Sequence, residues 1–334
     1  MNLIGDILCH KSLAVVGLEK NTGKTECLNH ILRNLPPETK LAVTSIGTDG
    51  ERVDAVTRTS KPEITLRTDT VFGTAEKYYG SRLLTSEILD VGGRATSLGR
   101  TVTARALTEG KVMLSGPPST VELKRWMDSL GRFGVELTIV DGALSRMSSA
   151  SPAITDAIVL STGAAFSADM NTLVRETSYR VGLINLPLAP QNEITALKDT
   201  GKGIWSLNEK GEVLPVSEKS APVPQAEIAD NGNSRTIYVA GALTSRILNM
   251  FSAGSAYGVR ILVGDFTKIF VPSQEYRAFT VRGGRVEVLR RSHLLAVCVN
   301  PVSPNGMVLD SDELVARLSA ETDVPVYDIM KNVY

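Results

Sequence analysis

The chain of 334 residues is longer than one typical domain and suits two. Its hydrophobic share of 43% permits a substantial core, and because only 5% of the residues are aromatic, that core must consist mainly of the aliphatic residues that parallel sheets prefer. Lys+Arg and Asp+Glu are balanced at 36 each, which argues against a strong non-specific nucleic-acid binder.

Cysteine spacing and the amino-terminus bear on location. Cys9, Cys27 and Cys298 are too scattered for a disulfide framework or a CxxC metal pair, which indicates a reducing compartment. Residues 1–8 contain an early Asp6 and no basic region, so they lack the pattern of a signal peptide. No apolar run approaches the roughly 18 residues of a membrane span. We therefore expect a cytoplasmic protein with no membrane contact.

Apolar runs alternate with helical spacing through the first half of the chain. Residues 12–16 predict a buried strand that ends at Gly17, and the spacing of apolar residues predicts a helix from Thr25 to Leu35. Further predicted elements are strands at 41–46, 64–67, 100–106, 111–115, 137–140, 157–160 and 181–185, helices at 120–133 and 168–177, and one or two helices before Asp90. This alternation implies βαβ units and a mostly parallel sheet, whose ligands gather at the carboxyl ends of the strands.

The second half changes character at about residue 190. Residues 205–216 predict a hairpin, and residues 218–233, rich in Ala, Pro, Ser and Asn, predict a linker. A second α/β pattern begins at Arg235, with predicted strands at 236–239, 260–263, 294–300 and 325–327 and helices after Gly241 and at 311–319. We expect domains at residues 1–195 and 235–334, joined by the hairpin and linker at 196–234.

Gly23-Lys24-Thr25 follows the first strand and opens a helix, which is the context that a P-loop requires. Backbone N–H groups at a helix N-terminus form an anion cradle, and the helix dipole adds positive potential. Lys24 would reach the β- and γ-phosphates of ATP, and the Thr25 hydroxyl would bind Mg²⁺. The residues predicted to bind the nucleotide along this loop are Gly17, Glu19, Lys20, Asn21, Thr22, Gly23, Lys24, Thr25 and Glu26. A surface turn is the alternative interpretation.

With this loop, the predicted fold class is α/β: a P-loop NTPase domain with a mostly parallel sheet, followed by a second, smaller α/β domain. Asp141 ends the apolar strand 137–140, where a Walker B carboxylate would hold Mg²⁺ or orient the attacking water. Lys24 and Asp141 are the predicted catalytic pair. An Asp that merely starts a turn is the alternative.

Two acidic residues after the second strand are further candidates for the metal. Asp49 and Glu51 could bind Mg²⁺ or respond to the γ-phosphate, and a solvated turn is an equal alternative. Two other segments at strand ends, 116–119 and 161–163, could line an effector or substrate site or could be ordinary turns. His10, His30 and His293 lack metal-ligand spacing.

The loop also carries a resemblance to a known family. Five residues separate Gly17 from Gly23, one more than in the standard P-loop, and this spacing with an acidic Glu19 resembles dethiobiotin synthetase and its relatives in the SIMIBI class. Over about residues 12–190, Asp141 and then Asn185 before Pro187 follow in the same order. The resemblance implies that Asn185 contacts the adenine. The segment Lys-Pro-x-x-Thr-Gly of that family is absent after the second strand, which argues against a dethiobiotin-type substrate.

Two departures from relatives bear on assembly and chemistry. The signature lysine of the deviant Walker loop would lie five residues before Lys24, where Glu19 stands, and Lys20 is displaced by one. A homodimer with a lysine acting across its interface is an open alternative. Some relatives, the cobyrinic-acid amidotransferases, carry a glutaminase domain, but Cys298 lies inside a predicted strand without a paired histidine, so a glutaminase is not expected.

Three functions fit this sequence. Residues 45–51, 140–143 and 161–164 resemble a family of P-loop subunits associated with reactivation of B12-dependent lysine 5,6-aminomutase. That resemblance implies a chaperone-type ATPase that drives exchange of damaged cobalamin on the aminomutase, together with a second ATPase subunit. The second function is an ATP-dependent ligase or kinase of the dethiobiotin synthetase type. The third is a nucleotide-gated binding module with little turnover.

Overall fold

The computed structural model describes residues 3–46, 63–143, 150–208, 210–217, 235–252 and 257–331. The chain forms two compact units: unit 1 comprises Met1–Ser178 and His293–Tyr334, and unit 2 comprises Tyr179–Ser292. Within the described ranges, no helix combines the length and the apolar character needed to cross a membrane.

The helices and strands of the described residues alternate along most of the chain. The helices are α1 (Leu3–Leu8), α2 (Lys24–Asn34), α3 (Glu76–Tyr79), α4 (Thr120–Ser129), α5 (Met170–Ile184), α6 (Gln191–Leu197), α7 (Ser245–Ser252), α8 (Ser273–Val281) and α9 (Ser311–Glu321). The strands are β1 (Ser12–Gly17), β2 (Leu41–Ser45), β3 (Ile64–Leu66), β4 (Val71–Ala75), β5 (Ser86–Thr96), β6 (Gly99–Ala106), β7 (Gly110–Val112), β8 (Leu137–Ala143), β9 (Ala157–Gly163), β10 (Ile204–Leu207), β11 (Val213–Ser217), β12 (Arg235–Val239), β13 (Leu243–Thr244), β14 (Val259–Val263), β15 (Ile269–Phe270), β16 (Arg285–Val288), β17 (His293–Asn300) and β18 (Val326–Asp328).

Unit 1 is built on a nine-stranded sheet in the order β18-β17-β9-β1-β8-β2-β4-β6-β5. Every neighbouring pair from β18 to β4 is parallel, and β6 and β5 add an antiparallel edge. The carboxyl ends of β1, β2, β8, β9 and β17 therefore meet at one edge of the sheet. β3 and β7 form a separate antiparallel pair.

Both faces of this sheet are covered, because neighbouring residues of a strand bury their side chains on opposite sides. Val43 of β2 belongs to a buried cluster that includes Leu28 of α2. The preceding residue, Ala42, belongs to a different cluster that includes Trp126 of α4. Helix α2 turns its buried residues to the sheet at helical spacing, and Pro36 follows its C-cap.

Unit 2 has its own five-stranded sheet in the order β11-β10-β12-β14-β16. The strands β12, β14 and β16 are parallel, whereas β10 runs antiparallel to β12 and to β11. The antiparallel pair of β10 and β11 confirms the hairpin predicted at 205–216. A short parallel pair, β13 and β15, completes the strands described in this unit.

The predicted α/β class with a mostly parallel sheet is confirmed, but several details differ, among them the strands β4 and β5, which were not predicted. The strand β17, predicted for a domain at 235–334, pairs with β9 and so completes the sheet of unit 1. The predicted strand at 181–185 is wrong, because helix α5 continues through Ile184. The buried residues of this helix are Leu173, Val174, Thr177, Val181, Leu183 and Ile184, and all of them except Leu183 keep helical spacing beyond residue 177.

Candidate functional site

The loop between β1 and α2 turns at the carboxyl edge of the parallel sheet. Gly23, the N-cap of α2, has φ 85°, and Asn21 has φ 62°. Left-handed residues of this kind allow a loop to curl in front of a helix N-terminus, where turns of the backbone form concavities for anions. The candidate site therefore lies where the strand-to-helix pattern predicts it.

Thr22 and Ser161 hold this loop in place. Thr22 is fully buried, and its hydroxyl donates to the carbonyl of Glu19 at 2.9 Å. The hydroxyl of Ser161, near the carboxyl end of β9, donates to the carbonyl of Thr22 at 2.6 Å, and the carbonyl of Ser161 accepts from the N–H of Leu18 at 2.9 Å. Since these groups are satisfied by one another, the loop has a defined shape before any ligand binds.

Two glycines of the loop tolerate no side chain. A Cβ on Gly17 would lie 2.7 Å from the hydroxyl oxygen of Thr22. A Cβ on Gly23 would lie 2.6 Å from the Cβ of Asn300. The glycines therefore allow the backbone to approach these neighbours closely.

Lys24 and Asp141 form an ion pair at the mouth of this loop, with 2.7 Å between Lys24 Nζ and Asp141 Oδ1. Asp141 lies in β8, where it pairs in register with Val15 of β1 and with Ser45 of β2. The two side chains are 26% and 19% exposed, so both can reach a ligand. The parallel sheet thus brings together the two residues that were predicted as the catalytic pair.

The remaining residues of the loop differ in exposure. Glu19, Lys20, Asn21 and Glu26 are exposed, and Thr25, in the first turn of α2, is partly buried. The carboxylate of Glu19 accepts from the backbone N–H of Lys20 at 3.2 Å. The residues predicted along this segment lie at the end of β1, in the loop and in the first turn of α2.

Asn185 does not have the predicted position at the end of a strand. It follows the last residue of α5, its N–H donates to the carbonyl of Val181 at 3.0 Å, and it belongs to unit 2. The structure gives it no place in the sheet that carries the loop. The strand predicted to end at Asn185 is a helical turn instead, and the adenine contact that the resemblance implied stays a prediction.

Asn300 lies at this site, although the sequence placed it at a strand end of the second domain. It ends β17, in register with Gly163 of β9, and its side chain lies against Gly23. Its side-chain oxygen accepts from the N–H of Val302 at 3.0 Å, and its carbonyl accepts from the N–H of Ala164 at 3.0 Å. The signal was the polar segment after strand 294–300, but that strand was predicted for a different domain.

The metal donors at the site are few among the described residues. Asp49 and Glu51 lie outside those residues, so their predicted role stays a prediction. In the described ranges no group of three or more His, Cys, Asp or Glu side chains could hold a metal ion. The hydroxyl of Thr25 and the carboxylate of Asp141 remain as oxygen donors, a small set that suits Mg²⁺, which keeps several waters and uses one or two carboxylates.

The two buried cysteines lie side by side in the core of unit 1. Cys27 of α2 and Cys298 of β17 are 1% and 0% exposed. A side-chain hydrogen bond with Cys298, together with burial, raises the pKa of the Cys27 thiol well above its usual value. A thiol held protonated in this way is a poor nucleophile.

No protein-family model, curated protein or solved structure matches this chain.

Proposed function

We propose that this chain binds Mg²⁺ and ATP at the loop Gly17–Thr25 and hydrolyses the nucleotide, as a chaperone-type regulatory ATPase of a partner enzyme. The observation that carries the nucleotide site is the ion pair of Lys24 with Asp141 beside a glycine-bounded loop at the carboxyl edge of a parallel sheet.

Phosphate binding follows from the loop and its helix. The loop precedes an 11-residue helix, whose N-terminus carries partial positive charge and unpaired N–H groups. Lys24 adds a full positive charge at the first position of that helix. A triphosphate would therefore meet backbone donors and an ammonium group from the same short segment.

The oxygen donors fit Mg²⁺ as the metal. Thr25 and Asp141 would hold the ion, and the bound ion would neutralise negative charge that develops on the phosphates. In the free protein, the carboxylate of Asp141 forms an ion pair with the ammonium group of Lys24. When the triphosphate binds, Lys24 would exchange this carboxylate for phosphate oxygens, which leaves Asp141 to hold the metal shell or to orient the attacking water.

The partner enzyme is proposed from the sequence. The resemblance of residues 45–51, 140–143 and 161–164 to the reactivating subunits supports a B12-dependent aminomutase as partner, with a second ATPase subunit. In this role ATP and its hydrolysis product would bind two conformations of the chain with different affinities. ATP hydrolysis would then shift the chain between these conformations and so change its affinity for the partner.

Steady-state phosphate release tests this proposal, measured with ATP and GTP, with and without Mg²⁺, and with and without a B12-dependent lysine aminomutase. ATPase activity that needs Mg²⁺ and rises with the partner is the expected result. A phosphorylated or ligated product from a small carboxylate, without any partner, would assign the chain to the ligases and kinases. Nucleotide binding without turnover in either assay would identify the chain as a nucleotide-gated binding module.

A further inference from the structure

Two of the three histidines of the chain lie next to each other in unit 1. The ring centroids of His10 and His293 are 5.7 Å apart, and the planes of the two rings are tilted by 39°. These residues are far apart in the sequence, so no ligand spacing along the chain connects them. The fold creates a pair of imidazoles that the proposed ATPase mechanism does not use.

The main chain holds both histidines in fixed positions. The N–H of His10 donates to the carbonyl of Ile7 at 3.0 Å, and Ile7 is fully buried in the core of unit 1. His293 is the first residue of β17 and pairs in register with Ala157 of β9. Helix α1, which ends two residues before His10, packs against β17. Both imidazoles are therefore carried by backbone that the core and the sheet position.

The pair lies at the amino edge of the parallel sheet, away from the nucleotide site. Ala157, the register partner of His293, is also the register partner of Leu13 near the start of β1. His10 precedes β1 by two residues, whereas the nucleotide loop follows the other end of that strand, at Gly17. The six residues of β1 span about 20 Å. A ligand of the two histidines would therefore be separate from the nucleotide.

Both imidazoles can be reached from solvent, because His293 is exposed and His10 is partly exposed. Imidazole nitrogen is a ligand that suits Zn²⁺, Ni²⁺ and Cu²⁺, whereas Mg²⁺ takes oxygen. The neighbouring thiol of Cys9 donates to the carbonyl of Gly5 at 3.4 Å. Since the described residues contain no group of three or more His, Cys, Asp or Glu that could hold a metal ion, water would fill the other positions around an ion here.

The distance between the rings fits one shared ion. A Zn²⁺–nitrogen bond is about 2.0–2.1 Å and the nitrogen lies roughly 1.2 Å from the ring centre, so each centroid would lie about 3.2 Å from the ion. At the tetrahedral angle two such rings have centroids about 5.2 Å apart. The observed distance of 5.7 Å is larger by about 0.5 Å. A rotation of one side chain, without movement of the main chain, covers this difference.

We propose that His10 and His293 together bind one divalent transition-metal ion of the Zn²⁺ type, with water as its other ligands. The ion would link the segment between α1 and β1 to the start of β17. It would stabilise unit 1, because a ligand that binds the folded chain and not the unfolded chain raises stability. This two-histidine site does not depend on the proposed nucleotide function.

NMR on the full chain with ¹⁵N-labelled histidine tests the site, with Zn²⁺ as the probe. The chain has three histidines, so single variants assign every ring signal. Zn²⁺ should shift the ring-nitrogen signals of His10 and His293 together, with saturation at one ion per chain. The signals of His30, which lies in α2, should not move. Unchanged signals of His10 and His293 up to about 1 mM Zn²⁺, or an equal shift at His30, would overturn the proposal.

Calorimetric titration with Zn²⁺ measures the contribution of each ring. His10→Gln and His293→Gln should each weaken binding at least about tenfold, because each removes one of two protein ligands. His30→Gln is the matched control and should bind Zn²⁺ as wild type does. Zn²⁺ should also raise the melting temperature of wild type and of His30→Gln, but not that of the other two variants.

The variant at the exposed position keeps this test decisive. Because His293 is exposed, His293→Gln should fold even if His10→Gln does not, and its circular dichroism spectrum checks this. Equal Zn²⁺ affinity of folded His293→Gln and His30→Gln would show that the ion lies elsewhere, and the proposal would be wrong.

Mg²⁺ separates this site from the nucleotide site. A large excess of Mg²⁺ should not reverse the Zn²⁺-induced shifts of His10 and His293, and Asp141→Asn should show the same shifts as wild type. Reversal by Mg²⁺, or loss of the shifts in Asp141→Asn, would place the ion at the oxygen donors and would overturn the two-histidine site. If ATP does not bind at all, the proposed function fails, and the Zn²⁺ titrations of the histidine variants still decide this site.

Discussion

Lys24, the first residue of α2, and Asp141, near the carboxyl end of β8, form an ion pair with 2.7 Å between Nζ and Oδ1. One short contact thus joins the cation proposed for the phosphates to the carboxylate proposed for the metal. The pair is partly exposed, with side chains 26% and 19% accessible, so it contributes little to stability and can exchange partners.

Lys24→Ala is expected to weaken ATP binding about 10- to 100-fold, because a charge-assisted hydrogen bond to phosphate is worth about 1.5–3 kcal/mol. Isothermal titration calorimetry measures the affinity. Lys124→Ala is the control, since Lys124 is an exposed lysine of α4, outside the loop. The control should bind ATP within about twofold of wild type. Unchanged ATP affinity in Lys24→Ala would refute the nucleotide site.

Asp141→Asn keeps the shape of the side chain and removes its charge. We expect ATP binding to persist and hydrolysis to fall about 100-fold or more, with half-maximal activity shifted to higher Mg²⁺ concentrations. The melting temperature should change little, because partly exposed ion pairs contribute about 0–1 kcal/mol. Phosphate-release assays across a Mg²⁺ titration measure the effect. Wild-type turnover in this variant would exclude Asp141 from the reaction.

Gly23→Ala is expected to destabilise the chain for two reasons, a left-handed backbone and a steric clash, and a series of glycine variants can separate them. Gly23 has φ 85°, and its new Cβ would lie 2.6 Å from the Cβ of Asn300. Gly134 has φ 76° with nothing within 4 Å of its Cβ position, and Gly131 has neither feature. We expect Gly131→Ala to be neutral, Gly134→Ala to cost about 1–2 kcal/mol, and Gly23→Ala to cost more and to lose ATP binding.

Chemical denaturation of the three variants gives the free energies of unfolding. Equal losses in Gly23→Ala and Gly134→Ala would mean that the loop moves away from Asn300 at no cost. Such a result would contradict a fixed packing of Asn300 against the loop.

The loop itself was predictable because its signal is local. The apolar strand, the glycines at both ends and the helical spacing after Thr25 all lie within a few residues of one another. Asp141 was predictable for a related reason, since it follows an apolar run that forms a buried strand. The sequence alone did not show that Lys24 and Asp141 are in contact. That contact depends on the order of strands in the sheet, which places β8 beside β1.

Asn300 was not predictable as part of this site, because its strand returns to unit 1 after the whole of unit 2. Consecutive strands usually lie near each other in space, and that rule assigned the strand to a separate domain. The strand predicted to end at Asn185 was wrong for a different reason: Val181–Ile184 is a short apolar run, which periodicity alone does not distinguish from a helical turn.

Arg260 bridges two carboxylates in unit 2, with 2.6 Å to Glu193 and 2.7 Å to Glu287. Its side-chain hydrogen bonds, first with Glu193 and then with Glu287, raise the pKa of the guanidinium further above its usual value. All three side chains are at most 17% exposed. Arg260→Met leaves the carboxylates facing each other without a counter-charge, and we expect a loss of about 3–5 kcal/mol.

Urea denaturation measures this loss, with Arg285→Met as the control. Arg285 is exposed and lies opposite Arg260 in the neighbouring strand, so its replacement should change stability by less than about 0.5 kcal/mol. A loss in Arg260→Met no larger than the loss in Arg285→Met would mean that the two carboxylates do not need the guanidinium charge.

The three cysteines should differ sharply in reactivity. Cys9 is exposed, whereas Cys27 and Cys298 are buried in the core of unit 1. Because the hydrogen bond with Cys298 and burial raise the pKa of Cys27, that thiol stays protonated at pH 8 in the folded protein. With a disulfide reagent at this pH we expect one fast equivalent from Cys9 and two more only after unfolding. Cys9→Ala should remove the fast equivalent alone. Fast reaction of Cys27 or Cys298 in the native Cys9→Ala variant would show that α2 separates readily from β17. The close packing of Cys27 against Cys298 opposes such a separation.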